Sequence, residues 1–311
     1  MLQDFKITES FDPESNVVIS EGDVLSELRK LPDGVFKLGV SSPPYNIGKE
    51  YEVSQSLAEY LEWQTEVLKE LSRVISEEGS LVWQVGNFVD KGEVFPLDMY
   101  FYPIIKSLGF QLRNRIIWHF DHGLHAQKRF SGRYEVLLWF TKSESYTFNL
   151  DPVRVPSKYP NKKHFKGPKK GQLSGNPLGK NPSDFWTLLC REWEEGIMDI
   201  PNVKSNHPEK TDHPCQFPVE LIERCILALT DEGDWIIDPF GGVGSSVIAA
   251  IKNERRGVMI ERDSRYVTAA KSRVDACING NLKTRPIGKP IYAAKKTTSE
   301  DLKDQCDLFE V

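Results

Sequence analysis

The chain has 311 residues, a formal net charge of −5, 39% hydrophobic and 27% charged residues, a composition that supports a sizeable globular core. The acidic balance excludes a protein that coats nucleic acid over its whole surface. The start, Met1-Leu2-Gln3-Asp4-Phe5-Lys6, lacks the basic and apolar run of a signal peptide, and no stretch holds the roughly 20 apolar residues that span a bilayer, so a cytoplasmic protein without membrane contact is expected.

Taken in chain order, residues 16–20 (Asn-Val-Val-Ile-Ser) read as a short strand, Glu21-Gly22-Asp23 as a turn, and 24–31 as a short helix. Residues 36–40 form the next strand and run into Ser41-Ser42-Pro43-Pro44-Tyr45. Consecutive prolines cannot continue a central strand, so the chain turns there and Ser42-Pro43-Pro44-Tyr45 sits at a strand's carboxyl end. Leu57, Tyr60, Leu61, Val67, Leu68, Leu71, Val74 and Ile75 recur at helical spacing, which predicts a helix over 56–77 with Gly79 as its stop. A buried strand follows at 80–85, then a helix at 97–108 and strands at 115–119 and 135–141. The alternation predicts an α/β fold, an open, mostly parallel Rossmann-like sheet with helices on both faces.

That pattern fails between about 142 and 212, where Pro, Gly, Asn and Lys crowd together. A loop of this length inside a compact domain is usually functional. From Pro152 to Pro182 there are eight Lys or Arg (Arg154, Lys158, Lys162, Lys163, Lys166, Lys169, Lys170, Lys180) and no Asp or Glu. Order returns with a helix at 218–229, a strand at 234–238, a helix at 245–252, a strand at 257–261 and a helix at 264–276. Beyond Gly280 the polar, Lys-rich tail reads as peripheral.

Five scattered cysteines (Cys190, Cys215, Cys225, Cys277, Cys306) include no Cys-x-x-Cys pair, so neither a disulfide framework nor a zinc site is indicated. His119, His122 and His125 recur every three residues without a known ligand spacing, and no metal is expected.

Trp235-Ile236-Ile237-Asp238-Pro239-Phe240-Gly241-Gly242-Val243-Gly244-Ser245-Ser246 is a strand, a glycine turn and a helix start. Glycines permit the close backbone approach that a nucleotide at such a crevice requires. Seventeen residues after Gly244, Glu261 ends the next strand, where its carboxylate can accept from two ribose hydroxyls. Asp-Pro-Phe-x-Gly-x-Gly at 238–244 resembles the S-adenosylmethionine motif of the DNA amino-methyltransferases, and Ser42-Pro43-Pro44-Tyr45 is similar to their [Asp/Asn/Ser]-Pro-Pro-[Tyr/Phe] motif. Catalytic motif first, basic region in the middle and cofactor motif last resembles the permuted class called beta, over about residues 16–276.

The resemblance implies S-adenosyl-L-methionine as cofactor, held by Asp23, His213, Pro214, Asp238, Pro239, Phe240, Gly242, Gly244, Ser245 and Glu261. It implies a double-stranded DNA substrate, methylated on an exocyclic amine. That amine is a poor nucleophile because its lone pair is delocalised into the ring, so acceptors must orient its N–H bonds and stabilise the positive charge that grows on it. Ser42 can supply a hydroxyl, Pro43 a carbonyl, Pro44 the turn, and Tyr45 a ring on which an extruded base stacks. Ser in the first position tilts the target to cytosine N4 over adenine N6. The basic stretch falls where that class carries target recognition, so Lys162, Lys163, Lys166, Lys169 and Lys170 suit phosphates while Asn, Gln and Arg nearby can read bases. His122, Arg129 and Arg133 are further DNA-facing candidates. A cognate restriction endonuclease and a homodimer are the partners such enzymes can have.

Other readings compete. Pro214-Cys215-Gln216 matches the cytosine-C5 methyltransferase tripeptide, but it precedes the glycine motif instead of following it, and His213-Pro214 to Pro218 instead resembles the segment that walls the methionine end of the cofactor. A nucleotide-binding Rossmann-like protein or an RNA or protein-amine methyltransferase would share the glycine turn. The expected organisation is a catalytic half (1–141), a target-recognition region (142–212), a cofactor half (213–280) and a tail (281–311).

Overall fold

The computed structural model describes residues 5–45, 55–120, 125–187, 198–199, 203, 209–211, 216 and 218–284, with 187 and 198–199 as backbone. His122, Cys190, His213, Pro214, Cys215 and Cys306 lie outside the described residues. Strands β1 (Ile7–Thr8), β2 (Val17–Glu21), β3 (Phe36–Ser41) and β4 (Ile75–Val85) precede the short hairpin β5 (Asn87–Asp90) and β6 (Glu93–Pro96). They are followed by β7 (Gln111–His119), β8 (Tyr134–Thr141), β9 (Phe185–Thr187), β10 (Met198–Asp199), β11 (Trp235–Asp238) and β12 (Arg256–Glu261). The helices are α1 (Val24–Leu28), α2 (Leu57–Val74), α3 (Leu97–Ser107), α4 (Val219–Leu229), α5 (Ser245–Lys252) and α6 (Ser264–Ile278).

All strands except β5 and β6 form one sheet in the order β1-β2-β12-β11-β3-β4-β8-β7-β9-β10. The pairings are parallel except that β8 runs antiparallel to both neighbours, β4 and β7. Strand residues alternate between two cores as the pleat requires: Ile236, Leu137 and Trp139 face the side covered by α4, α5 and α6, while Ile237, Val136 and Leu138 face α1, α2 and α3. This is the open sheet with two helical layers that the alternating pattern implies.

From β3 the chain crosses through α2 to β4, and from β11 it crosses through α5 to β12 on the opposite side. The β3/β11 boundary is therefore a topological switch point, where an open α/β sheet leaves a crevice outside its carboxyl ends. Register places Ile236 beside Leu38 and Ile237 beside Gly39, so the chain leaves both strands at the same edge.

Several boundaries move from the sequence reading. Helix α2 ends at Val74, and Gly79 is a strand residue, not a helix stop. The pairing of β3 with β4 jumps from Phe36↔Ile75 to Leu38↔Ser80, a bulge that folds the chain tightly on itself. A Cβ at Gly79 would lie 2.6 Å from the Ile75 side chain and 3.0 Å from the Phe36 carbonyl oxygen, so only glycine fits there. Helix α1 stops at Leu28, and β7 begins at Gln111, four residues before the expected start. Within 142–212 the chain makes a single 3-10 turn at Asp151–Val153, then the two short strands that end the sheet, among the described residues.

The start of α2 is fixed by a reciprocal cap: Ser56 Oγ accepts from the Glu59 amide at 3.3 Å and the Glu59 carboxylate accepts from the Ser56 amide at 2.9 Å. Ser56→Ala is expected to lower unfolding free energy by about 1 kcal/mol, measured by denaturant titration, with the slope of the transition unchanged.

Candidate active site

Residues 197 positions apart meet at the switch point. Ser41, the last residue of β3, donates through Oγ to Asp238 Oδ1 at 2.6 Å, and both side chains are buried. The Phe240 amide donates to the same Asp238 oxygen at 3.1 Å. The end of β3 and the turn after β11 are thus locked together. The turn itself needs glycine, because Gly242 and Gly244 have φ of 51° and 81°, in the left-handed region that side chains disfavour. At Gly241 a Cβ would sit 2.6 Å from the Met259 side chain on neighbouring β12.

Glu261, at the end of β12, accepts from the Gly242 amide at 3.0 Å through one oxygen and from the Asp263 amide at 2.8 Å through the other. Behind the turn, Arg273 of α6 donates to the Val243 carbonyl at 2.5 Å. Pro239 and Ser245 are buried, and Ser245 opens α5. Phe240 packs against Trp63 and Trp83 at centroid separations of 5.7 and 6.2 Å. Asp23 caps α1, accepting from the Ser26 amide at 3.0 Å, at the end of β2 where Glu21 pairs with Glu261.

On the β3 side, Pro43 is buried and Ser42, Pro44 and Tyr45 are half-buried. The Ser42 and Tyr45 hydroxyls lie 3.0 Å apart. Tyr60 of α2 donates to the Pro44 carbonyl at 2.7 Å, tethering the motif to the helix. The Tyr45 ring lies over Gly86, where a Cβ would come within 3.1 Å of it. Its hydroxyl donates at 3.5 Å to Glu135 near the start of β8, and that carboxylate also accepts from the Gln84 side-chain amide.

Burial raises the Asp238 carboxyl to about 6, against the hydrogen bonds from Ser41 and Phe240. Burial likewise raises Glu261. Among the described residues neither carboxylate has a salt-bridge partner within 4.0 Å. A glycine turn flanked by two such groups fits a cationic nucleoside whose ribose hydroxyls donate hydrogen bonds.

A family model described as DNA methylase, of the N6/N4 methyltransferase type, matches residues 36–272. The chain belongs to this family. It is 46% identical over 265 residues to the type II methyltransferase M.BglII of Bacillus subtilis, covering 85% of this chain and 70% of the relative. It is 30% identical over 306 residues to the DNA adenine methyltransferase YhdJ of Escherichia coli K12, covering 97% and 95%. Its fold superposes on the cytosine-N4-specific PvuII DNA methyltransferase with a TM-score of 0.64 at 20% identity, over 87% and 94% of the two chains. The Thermus thermophilus protein TTHA0409, solved with S-adenosyl-L-methionine, superposes with a TM-score of 0.57 at 26% identity, over 84% and 96%. The chain is an S-adenosyl-L-methionine-dependent DNA amino-methyltransferase.

The structure brings Ser42–Tyr45, Asp238–Ser245 and Glu261 to one edge of the methyltransferase sheet. Lys162, Lys163, Lys166, Lys169 and Lys170 are all exposed on an excursion tied at its root by the Val155–Lys180 bridge. The sequence reading passed over Ser41, Tyr60, Gln84, Glu135 and Arg273. Glu135 had one visible signal, a lone acid just inside a strand that is otherwise apolar from Val136 to Phe140.

The raised Asp238 carboxyl has a consequence for stability. A carboxyl that titrates at about 6 folded and at 3.8 unfolded binds its proton more tightly in the native state, so the native state gains stability below 3.8 and loses it as pH rises through about 6. The full difference corresponds to about 3 kcal/mol. Without cofactor, the wild-type chain is expected to gain stability relative to Asp238→Asn as pH falls from 7.5 to 5, as read by thermal melts in matched buffers. A stability difference that stays flat over this interval contradicts the assignment.

Proposed function

We propose that the methyltransferase modifies the N4 amino group of cytosine within a defined double-stranded DNA sequence. The observation that carries this reading is Ser42 at the carboxyl end of β3, held beside the cofactor turn by the Ser41–Asp238 hydrogen bond. When bound, S-adenosyl-L-methionine supplies an electrophilic methyl group on a sulfonium. The roles of the chain's own residues follow from their positions. Gly242 and Gly244 let backbone approach the nucleoside, Glu261 accepts from its ribose, and Asp238 provides a buried negative charge for a cationic ligand. Pro239, Phe240 and Ser245 shape the wall, Asp23 lines the adjoining strand end, and His213 and Pro214 are proposed at the methionine end.

Ser42 Oγ and the Pro43 carbonyl accept from the target amine. This directs the nitrogen lone pair outward and stabilises the charge that grows on it. The Ser42 hydroxyl already contacts the Tyr45 hydroxyl, so substrate entry exchanges one partner for another. Tyr45, backed by Gly86 and Glu135, supplies the surface on which the extruded base stacks.

Lys162, Lys163, Lys166, Lys169 and Lys170 contact phosphate, since exposed ammonium groups without a fixed partner geometry position DNA without reading it. Likeness to the type II methyltransferase M.BglII supports a restriction-modification role, with a cognate restriction endonuclease as the partner to be sought. A second copy of the chain is the other partner to test. Likeness to the DNA adenine methyltransferase YhdJ favours adenine N6 as a second reading, because the same acceptors orient either exocyclic amine.

Single-molecule sequencing of DNA from cells expressing the chain is expected to reveal one recognition sequence, and mass spectrometry of its nucleosides to yield N4-methylcytosine. N6-methyladenine would transfer the assignment to the second reading. Ser42→Ala is expected to reduce kcat by about 100-fold, the scale for loss of one group that stabilises transition-state charge, while cofactor affinity by calorimetry stays within threefold. Gly242→Asp is expected to abolish that affinity.

A further inference from the structure

Extruding a base from a duplex breaks its stacking and leaves a gap in the helix. Proteins that open or kink base steps commonly fill such gaps with an apolar side chain. The reading above assigns Tyr45 to the extruded base and assigns nothing to the gap. We propose that Phe130 is the wedge that enters the duplex where the target base leaves it, an inference that rests on the base-extruding DNA methyltransferase reading.

Position is the first ground. Phe130 lies on the connection between β7 and β8, whose register pairs His119 with Tyr134 and Trp118 with Glu135. That end of β8 pairs Val136 with Val85, the end of β4, at the same sheet edge as Ser41 and Asp238. Five residues separate Phe130 from Glu135, a reach of at most about 18 Å of extended chain, and Glu135 itself accepts from the Tyr45 hydroxyl. The connection therefore leaves the sheet at the edge that carries the stacking residue.

Exposure is the second ground. Phe130 is 100% exposed, the most exposed of the described large hydrophobic side chains. A lone exposed aromatic is ordinary by itself, but the segment around it is preformed. The Phe120 amide donates to the Arg133 carbonyl at 2.8 Å and the Ala126 amide to Ser131 Oγ at 3.1 Å, closing the turn on both sides of Phe130. Arg129 donates to the Phe130 carbonyl at 3.2 Å, and Arg133 lies 3.4 Å from His125 Nδ1.

Charge is the third ground. Residues 125–133 carry Lys128, Arg129 and Arg133 and no acid, and Lys128 and Arg129, immediately before Phe130, are exposed. Cations next to an apolar tip suit a side chain that approaches the duplex between its phosphate backbones. Phe165 is the competing candidate at 90% exposure, but it sits at the end of the lysine-rich excursion, and its nearest backbone ties, His164 to Gln172 and Gly171, stay within that excursion.

The test uses the recognition sequence found by sequencing, in two duplexes: one fully paired, one with an abasic site opposite the target base. The second lowers the cost of extrusion and with it the need for a wedge. Phe130→Ala is expected to lower kcat/KM on the paired duplex by about 10- to 100-fold, the equivalent of the few kcal/mol spent on unstacking. On the abasic duplex the deficit is expected to shrink below threefold. Phe130→Leu is expected to restore most of the activity on the paired duplex, and cofactor affinity is expected to stay at the wild-type value in both variants. No deficit on the paired duplex, equal deficits on both duplexes, or the same rescue pattern in Phe165→Ala would overturn the assignment. Wild-type chain inactive on both duplexes would instead sink the DNA-methylating reading on which it stands.

Discussion

The parallel contact between β3 and β11 is the constraint on which the rest of the site depends. Its two strands come from opposite ends of the chain, and each ends in a segment that cannot continue as strand: Pro43-Pro44 after β3, and the glycine turn after β11. Because the pairing is parallel, both segments leave at one edge. Because the crossovers run to opposite sides, nothing from the sheet itself fills the space between them. The Ser41–Asp238 hydrogen bond then fixes the two segments to each other at side-chain precision. A chain that carries its catalytic motif before its cofactor motif loses nothing by that order, since the sheet brings both to the same place whichever comes first.

The supporting shell has a different character on each side. Around the cofactor turn it is backbone and buried charge: Glu261 bonded to the Gly242 and Asp263 amides, Arg273 on the Val243 carbonyl, Asp238 with a carboxyl raised by burial. Such groups are costly to desolvate without a counter-charge, so the fold by itself carries an electrostatic penalty that a cationic ligand relieves. Around Ser42–Tyr45 the shell is aromatic and hydroxylic, with Tyr60 on the Pro44 carbonyl and Tyr45 over Gly86. These contacts aim groups without charging them, which suits the proposed chemistry, in which positive charge develops on a neutral amine.

Local chemistry made much of this legible. The two proline residues and the glycine run mark strand ends because their backbone restrictions act at the residue itself, and Glu261 follows from the length of one helical crossover. What the sequence hid depends on contacts between distant segments. Gly79 looks like a helix stop until β3 is beside it, when the close approach of Ile75 and the Phe36 carbonyl shows why glycine is needed within a strand. Ser41 looks like padding before the motif, and its partner lies 197 residues away. Glu135 gains meaning only when β8 pairs antiparallel with β4 and delivers its carboxylate to Gln84 and Tyr45. Strand β9 is three residues long and stabilised by its neighbours β7 and β10, with no periodicity of its own to reveal it.

Charge distribution ties the sheet to its substrate. A chain with net charge −5 repels a polyanion at long range, so attraction must come from local segments whose fields survive screening over about 8–10 Å. Two acid-free segments meet that requirement: residues 152–182, and the shorter 125–133 at the edge that carries Ser42 and Tyr45. The division suits two tasks. On the proposed reading the lysine-rich excursion, exposed along most of its length, meets a duplex over several phosphates. The shorter segment is tied at its foot by the Phe120–Arg133 bond and within itself by the bond from the Ala126 amide to Ser131 Oγ. On the proposed reading the first segment holds the duplex and the second opens it, so only the second has to lie at the edge that carries Ser42 and Tyr45.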